Sequence, residues 1–177
     1  KLFSCMVYQN HIFTLEDGVV KIVGVYVGIP KEKLMLVLLE QGFTIDDNSS
    51  IPSVFKGNIQ GLGICSLNIR EANNKVGSIV ICTEREYSEE EALVVFEQVK
   101  DDLHMEPSFD YNGFGISPNP HEIDHFWDLS EGLVKIQWDG FNTHNFSFRN
   151  TDGLDHISFC LQGPIVKDEE YWRSEVD

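Results

Sequence analysis

From Ser88 to Met105 the chain reads SEEEALVVFEQVKDDLHM, and its apolar positions recur at helical spacing. Ala92, Val95, Phe96, Val99 and Leu103 fall on one stripe, with Glu90, Glu97 and Asp101 opposite. Ser88 suits the N-cap, since its hydroxyl can accept from an orphan N–H of the first turn. Glu91, three residues on, can reach back to close a capping box. Glu89 and Glu90 put negative charge at the positive end of the helix dipole. Pro107 is expected to stop the helix. One face of this helix is dry, and a helix of this length is marginal alone in water. The rest of the chain is expected to supply a sheet that covers it.

The other runs read as strands, with one further helix. Residues 1–18 read as irregular, with a turn at Glu16-Asp17-Gly18. Val19 to Val27 is rich in β-branched residues and apolar on both alternations, which predicts a central strand. Pro30 and Gly42 bracket an apolar run, Leu34 to Leu39, and suit the start and end of a helix. That helix is either buried on two sides or partly exposed for a partner. Val54 to Gln60 and Leu62 to Arg70 predict a hairpin around Gly61, with Cys65, Leu67 and Ile69 on the buried alternation. Asn73-Asn74 marks a turn into a strand over Val76 to Thr83. Ile123 to Leu129 and Leu133 to Trp138 predict a hairpin across Ser130-Glu131-Gly132. Phe146 and Phe148 suggest a short strand, and Ile157, Phe159 and Leu161 a last one. The segment 165–177 is acidic and expected to fray, as termini do.

Two helices and about eight strands joined by short turns predict a single α+β domain over residues 1–177. Its antiparallel sheet carries both helices on one face. The order also reads as a loose β-α-β-β repeat, without a shared residue pattern.

Charge and cysteine content narrow the function classes. Thirteen basic against 29 acidic residues give a net charge of −16. That excludes nucleic-acid binding, which needs a basic patch. It fits a soluble acidic surface, or an acidic face for a basic enzyme, as an immunity protein or inhibitor would use. No window reaches the roughly 18 apolar residues of a membrane helix. Cys65, Cys82 and Cys160 lie in apolar strands, where a free cysteine behaves as a small hydrophobe; no disulfide pairing can be chosen from spacing. The chain opens at Lys1, and Leu2-Phe3-Ser4-Cys5 is similar to a bacterial lipoprotein cleavage site. That similarity leaves open an upstream leader and a lipid anchor on Cys5.

Several features resemble a set of small exported proteins of unknown function from anaerobic gut bacteria. They are Gly28-Ile29-Pro30 opening a helix, Glu40-Gln41-Gly42-Phe43 closing it, and Phe55-Lys56-Gly57 with the glycines that follow. The strand Val76 to Cys82, the helix with Ala92, Phe96 and Leu103, and the later hairpin around Gly132 continue the likeness. The resemblance spans about two-thirds of the chain and rests on glycines and core positions. It implies an α+β fold and a periplasmic, envelope or secreted location, and no activity.

His121-Glu122-Ile123-Asp124-His125 matches H-E-x-x-H, in which two histidines one helical turn apart bind zinc and the Glu serves as general base. The chemistry needs a helix. Here Pro118 and Pro120 precede the motif and a strand-like run follows it. In a strand the two histidines would stand about 13 Å apart, at roughly 3.3 Å per residue. A zinc-dependent hydrolase built on His121, Glu122 and His125 is therefore the runner-up, and neither a metal nor a cofactor is expected. No glycine-rich phosphate loop is present, and no cysteine has a persuasive histidine partner, so no catalytic residue is assigned.

The leading reading is a non-catalytic, exported binding or interaction module whose partner, a protein or a small molecule, is not identified. The segment Glu106 to Pro120 is too long for a simple connection. It carries Phe109, Tyr111 and Phe114, and aromatic side chains are enriched among binding hot spots. With Trp127 as one wall of a groove, these four residues are the predicted binding surface.

Overall fold

The fold was determined as a computed structural model, which describes residues 11–46, 54–107, 123–129, 132–138, 140 and 152–163. Its elements, in chain order, are β1 (Thr14–Glu16), β2 (Val19–Lys21), α1 (Lys31–Glu40), β3 (Thr44–Ile45), β4 (Val54–Ile59), β5 (Gly63–Ala72), β6 (Lys75–Thr83) and β7 (Tyr87–Ser88). There follow α2 (Glu89–Leu103), β8 (Ile123–Leu129), β9 (Gly132–Trp138), β10 (Leu154–Asp155) and β11 (Ser158–Gln162). The class is α+β, as the pattern predicts. Seven strands form one antiparallel sheet in the order β3-β4-β5-β6-β11-β9-β8, and β1-β2 and β7-β10 are separate two-stranded ribbons.

Register shows how the sheet makes the core. Side chains alternate across a strand, so one row crosses the sheet from Phe55 through Leu67, Ile81, Phe159 and Ile136 to His125. Beside it runs a second row, Ile69, Ile79, Leu161, Val134 and Trp127. Both helices contribute to one hydrophobic core over this face. Each helix leads into an antiparallel meander, β4-β5-β6 after α1 and β8-β9-β11 after α2. The last strands of the two meanders, β6 and β11, pair with each other antiparallel and join the halves.

Local chemistry explains both helices. The Ser88 hydroxyl accepts from the Glu91 N–H and the Glu91 carboxylate accepts from the Ser88 N–H, a complete capping box. Those bonds to Ser88 hold the Glu91 carboxyl below its ordinary range. The predicted stripe is buried at Ala92, Val95, Val99 and Leu103, while Phe96 is only half-buried. The helix ends before Pro107, at His104, which takes a left-handed conformation and donates its N–H to the Asp101 carbonyl. At the end of α1, Gly42 (φ 81°) lets the Gly42 N–H reach the Leu39 carbonyl and the Phe43 N–H reach that of Leu38. This is the double bond pattern of a Schellman stop. The start of α1 is stitched to the β5–β6 turn by Lys31 N–H to the Asn74 carbonyl, and by Lys31 with Glu71 at 2.9 Å.

Two expectations about the first thirty residues need correction. Val19 to Val27 is not a central strand. The run breaks after Lys21 into a tight turn, where Val23 (φ 47°) and Gly24 (φ 80°) are left-handed and Ile22 and Val25 exchange backbone hydrogen bonds. The apolar content still has a use, because Val20, Ile22 and Val25 enter the core from the turn. Nor is the preceding stretch wholly irregular, since Thr14–Glu16 pairs with Val19–Lys21. The segments containing Phe146, Phe148 and the tail 165–177 lie outside the described residues.

Candidate functional site

The predicted aromatic surface is not assembled among the described residues. Phe109, Tyr111 and Phe114 lie outside them. Trp127 is a core residue rather than a groove wall: it is fully buried, its indole N–H donates to the Met105 carbonyl at 2.8 Å, and its ring stands 5.9 Å from that of Phe96. The physical reason is register. Trp127 pairs with Val134 on the face that the helices cover.

The metal motif is likewise divided. His121 and Glu122 lie outside the described residues. His125 sits in β8 with its ring 4.7 Å from Phe96, so it belongs to a strand facing α2 rather than to the helix that the zinc chemistry needs. Among the described residues, no group of three or more His, Cys, Asp or Glu side chains could hold a metal ion. Among them too, no helix is long and apolar enough to cross a membrane. Cys65 and Cys82 are free thiols.

Two features of the helical layer stand out instead. The first is the outer face of α1. Leu34 and Leu38 are buried, whereas Leu36 and Leu39 keep 63% and 59% of their surface in water. On the outer face of α2, Leu93 and Val94 are exposed as well. Exposed apolar residues standing singly are ordinary; those of α1 lie on the same helix as the buried Leu34 and Leu38. Of the two readings open for this helix, partial exposure is the one observed.

The second feature is a buried carboxylate, Asp102, on the inward side of α2. Its Oδ2 accepts from the backbone N–H groups of Ile12 (2.7 Å) and Phe13 (3.0 Å). Its Oδ1 lies 2.8 Å from both Gln98 Nε2 and His11 Nδ1. The two backbone groups and the amide nitrogen donate to this side chain, and the His11 ring shares Oδ1 with Gln98. His11 also lines a cleft of about 490 Å³ whose rim includes Lys100, His104 and Glu106. Lys100 is held at that rim by Glu97 and Glu106, whose carboxylates raise its pKa. A buried Asp orienting a half-exposed His is the positioning half of a hydrolytic triad, but no hydroxyl or thiol nucleophile is on the described rim. What the arrangement does is fasten residues 11–13 to α2 and so lay Phe13 edge-on against Phe159, 5.6 Å away, in the middle of the sheet. Sequence reasoning passed over Asp102, although it falls on the α2 stripe, three residues after Val99.

Comparison of the chain with protein-family models, with curated proteins and with solved structures finds no match.

Proposed function

We propose that the protein is a non-catalytic, exported binding module that engages a protein partner through the outer face of its helical layer. The observation that carries this reading is the exposure of Leu36 and Leu39, one turn apart on a helix already anchored by Leu34 and Leu38. Such a helix has satisfied its own fold, and its remaining leucines gain only by being covered. The net charge of −16 supports a partner of basic character around an apolar centre. Export rests on the resemblance to small exported proteins of anaerobic gut bacteria.

The test is a paired pull-down from envelope and culture fractions of the native organism, with wild type and a Leu36→Asp/Leu39→Asp variant. Both side chains are exposed, so the variant should keep its thermal midpoint within a few degrees of wild type. A protein retained by wild type and lost by the variant supports the reading. Identical retained sets refute it.

A further inference from the structure

Successive residues of an α-helix turn by about 100°, which places the side chains of α1 around its axis. Counted from Leu36, the buried Leu34 and Leu38 fall about 160° away on either side, so Leu36 points away from the core. Met35 and Val37, about 100° away on either side, are half-buried, as that placement requires. Lys33 and Glu40 fall together on one flank of Leu36, about 60° and 40° round. Leu39 and Glu32 fall together on the other flank at the same angles. All five of these outward residues are exposed.

That stripe is complementary to itself. A two-fold axis across the helix at Leu36 sets a second α1 antiparallel to the first and keeps each flank on its own side. Lys33 lies about 4.5 Å before Leu36 along the axis and Glu40 about 6 Å after it. Lys33 of one copy therefore stands nearly level with Glu40 of the other, twice over, on one flank. Leu36 meets its own copy at the centre, and Leu39 meets the stem of Glu32 on the other flank. Lys31 is already tied to Glu71, whereas neither Lys33 nor Glu40 has an ion-pair partner among the described residues. The exposed pair on α2, Leu93 and Val94, has no such symmetry of charge, because Glu90, Glu97 and Asp101 flank it.

We infer that α1 docks antiparallel against the α1 of a second copy of this chain, about a two-fold axis at Leu36. The inference rests on the reading of this face as a docking surface, and it names what covers the face when no other partner does. Two chains of net charge −16 repel at a distance, but salt at 0.15 M screens that field beyond about 8 Å. At contact the local charges decide. Exposed ion pairs add little affinity, so burial of the leucines holds the pair and the charges set its direction. A helix of 10 residues, about 15 Å long, covers less than the roughly 800 Å² per partner of a standard interface. The dimer is therefore weak and forms only in concentrated protein.

The test is sedimentation equilibrium of the full chain in 0.15 M salt, from about 10 μM to about 1 mM. Wild type should pass from monomer towards dimer across that range. Lys33→Glu and Glu40→Lys each set like charges face to face, and each should weaken the dimer about fivefold or more. Both positions are exposed, so thermal midpoints should stay within a few degrees of wild type. An equimolar mixture of the two variants should regain the wild-type affinity, because in the mixed pair every charge again faces its opposite. A wild type that stays monomeric to about 1 mM overturns the inference. So does a dimer indifferent to both charge reversals, or a mixture that associates no better than either variant alone. A monomeric wild type that still captures a foreign protein through Leu36 and Leu39 refutes the dimer alone. A dimer with identical pull-down sets supports this inference and refutes the foreign partner alone.

Discussion

Replacing Asp102 separates two accounts of α2, a helix held only by its apolar stripe and a helix that also clasps the chain before β1. In Asp102→Ala, the N–H groups of Ile12 and Phe13 lose their acceptor while remaining buried. Each such orphan costs about 1–3 kcal/mol. The lost bonds to Gln98 and to the half-exposed His11 add about 1 kcal/mol together. The expected destabilisation is therefore about 3–7 kcal/mol, a large share of the roughly 5–15 kcal/mol available to a domain. Asp102→Asn behaves differently. Its amide oxygen can take both backbone N–H groups, while its NH₂ faces Gln98 and His11. Gln98 can turn its amide to accept, and His11 can take the tautomer whose Nδ1 accepts. That variant should cost about 1 kcal/mol. The assay is urea unfolding followed by tryptophan fluorescence, with midpoints and slopes compared across the three proteins. Nitrogen-15 shifts of His11 should show Nδ1 accepting in the Asn variant. An Ala variant less than about 1 kcal/mol below wild type would refute the clasp. Equal losses in Ala and Asn would show that charge, rather than hydrogen-bond satisfaction, holds residues 11–13.

Phe96→Ala should cost about 2 kcal/mol, below the 3–5 of a fully buried Phe, because the ring is half-buried against His125 and Trp127; chemical unfolding checks it, and a loss above 4 kcal/mol would mean the site is closed. Burial, with a smaller contribution from Cys82, pushes the Cys65 thiol up to about 12 from the ordinary 9.0. The unfolded chain therefore releases this proton first, and stability falls as pH rises from about 9 to about 12. Urea midpoints across that window should fall more steeply in wild type than in Cys65→Ala, and parallel curves would refute the shift. Zinc added to purified protein should give no stoichiometric metal that disappears in a His121→Ala/His125→Ala variant; metal analysis finding such zinc would restore the hydrolase reading.

Where the sequence carried a periodic signal, the fold was legible. The capping residues of α2, the alternation of Cys65, Leu67 and Ile69, and the hairpin turns at Gly61 and Asn73-Asn74 are all local chemistry, and each is in place. The break at Val23 was not legible, since a β-branched residue rarely takes a left-handed φ. Only the glycine after it hinted at a turn. Strand order was hidden for another reason: β11 enters between β6 and β9, and pairings so distant in sequence leave no periodic trace. Trp127 follows a long loop that carries aromatics, yet its alternation with His125 puts both side chains on the covered face. Asp102 was readable in principle, as a carboxylate at an apolar helical position. The exposed leucines of α1 were visible as an apolar run, but which of them face outward depends on how the helix lies on the sheet.

The antiparallel seam between β6 and β11 bears on how the chain assembles. Each half is a helix with a meander of near-neighbour contacts, so each can gather early, whereas the seam joins residues near 80 to residues near 160 and must close over a long loop. A chain caught with its seam open exposes two bare strand edges. A second chain caught in the same state offers the same two edges, and mutual exchange would satisfy all four without a new contact type. The connection between the two halves is Glu84-Arg85-Glu86, three charged residues between β6 and β7, so the seam and the hinge lie side by side at the end of β6.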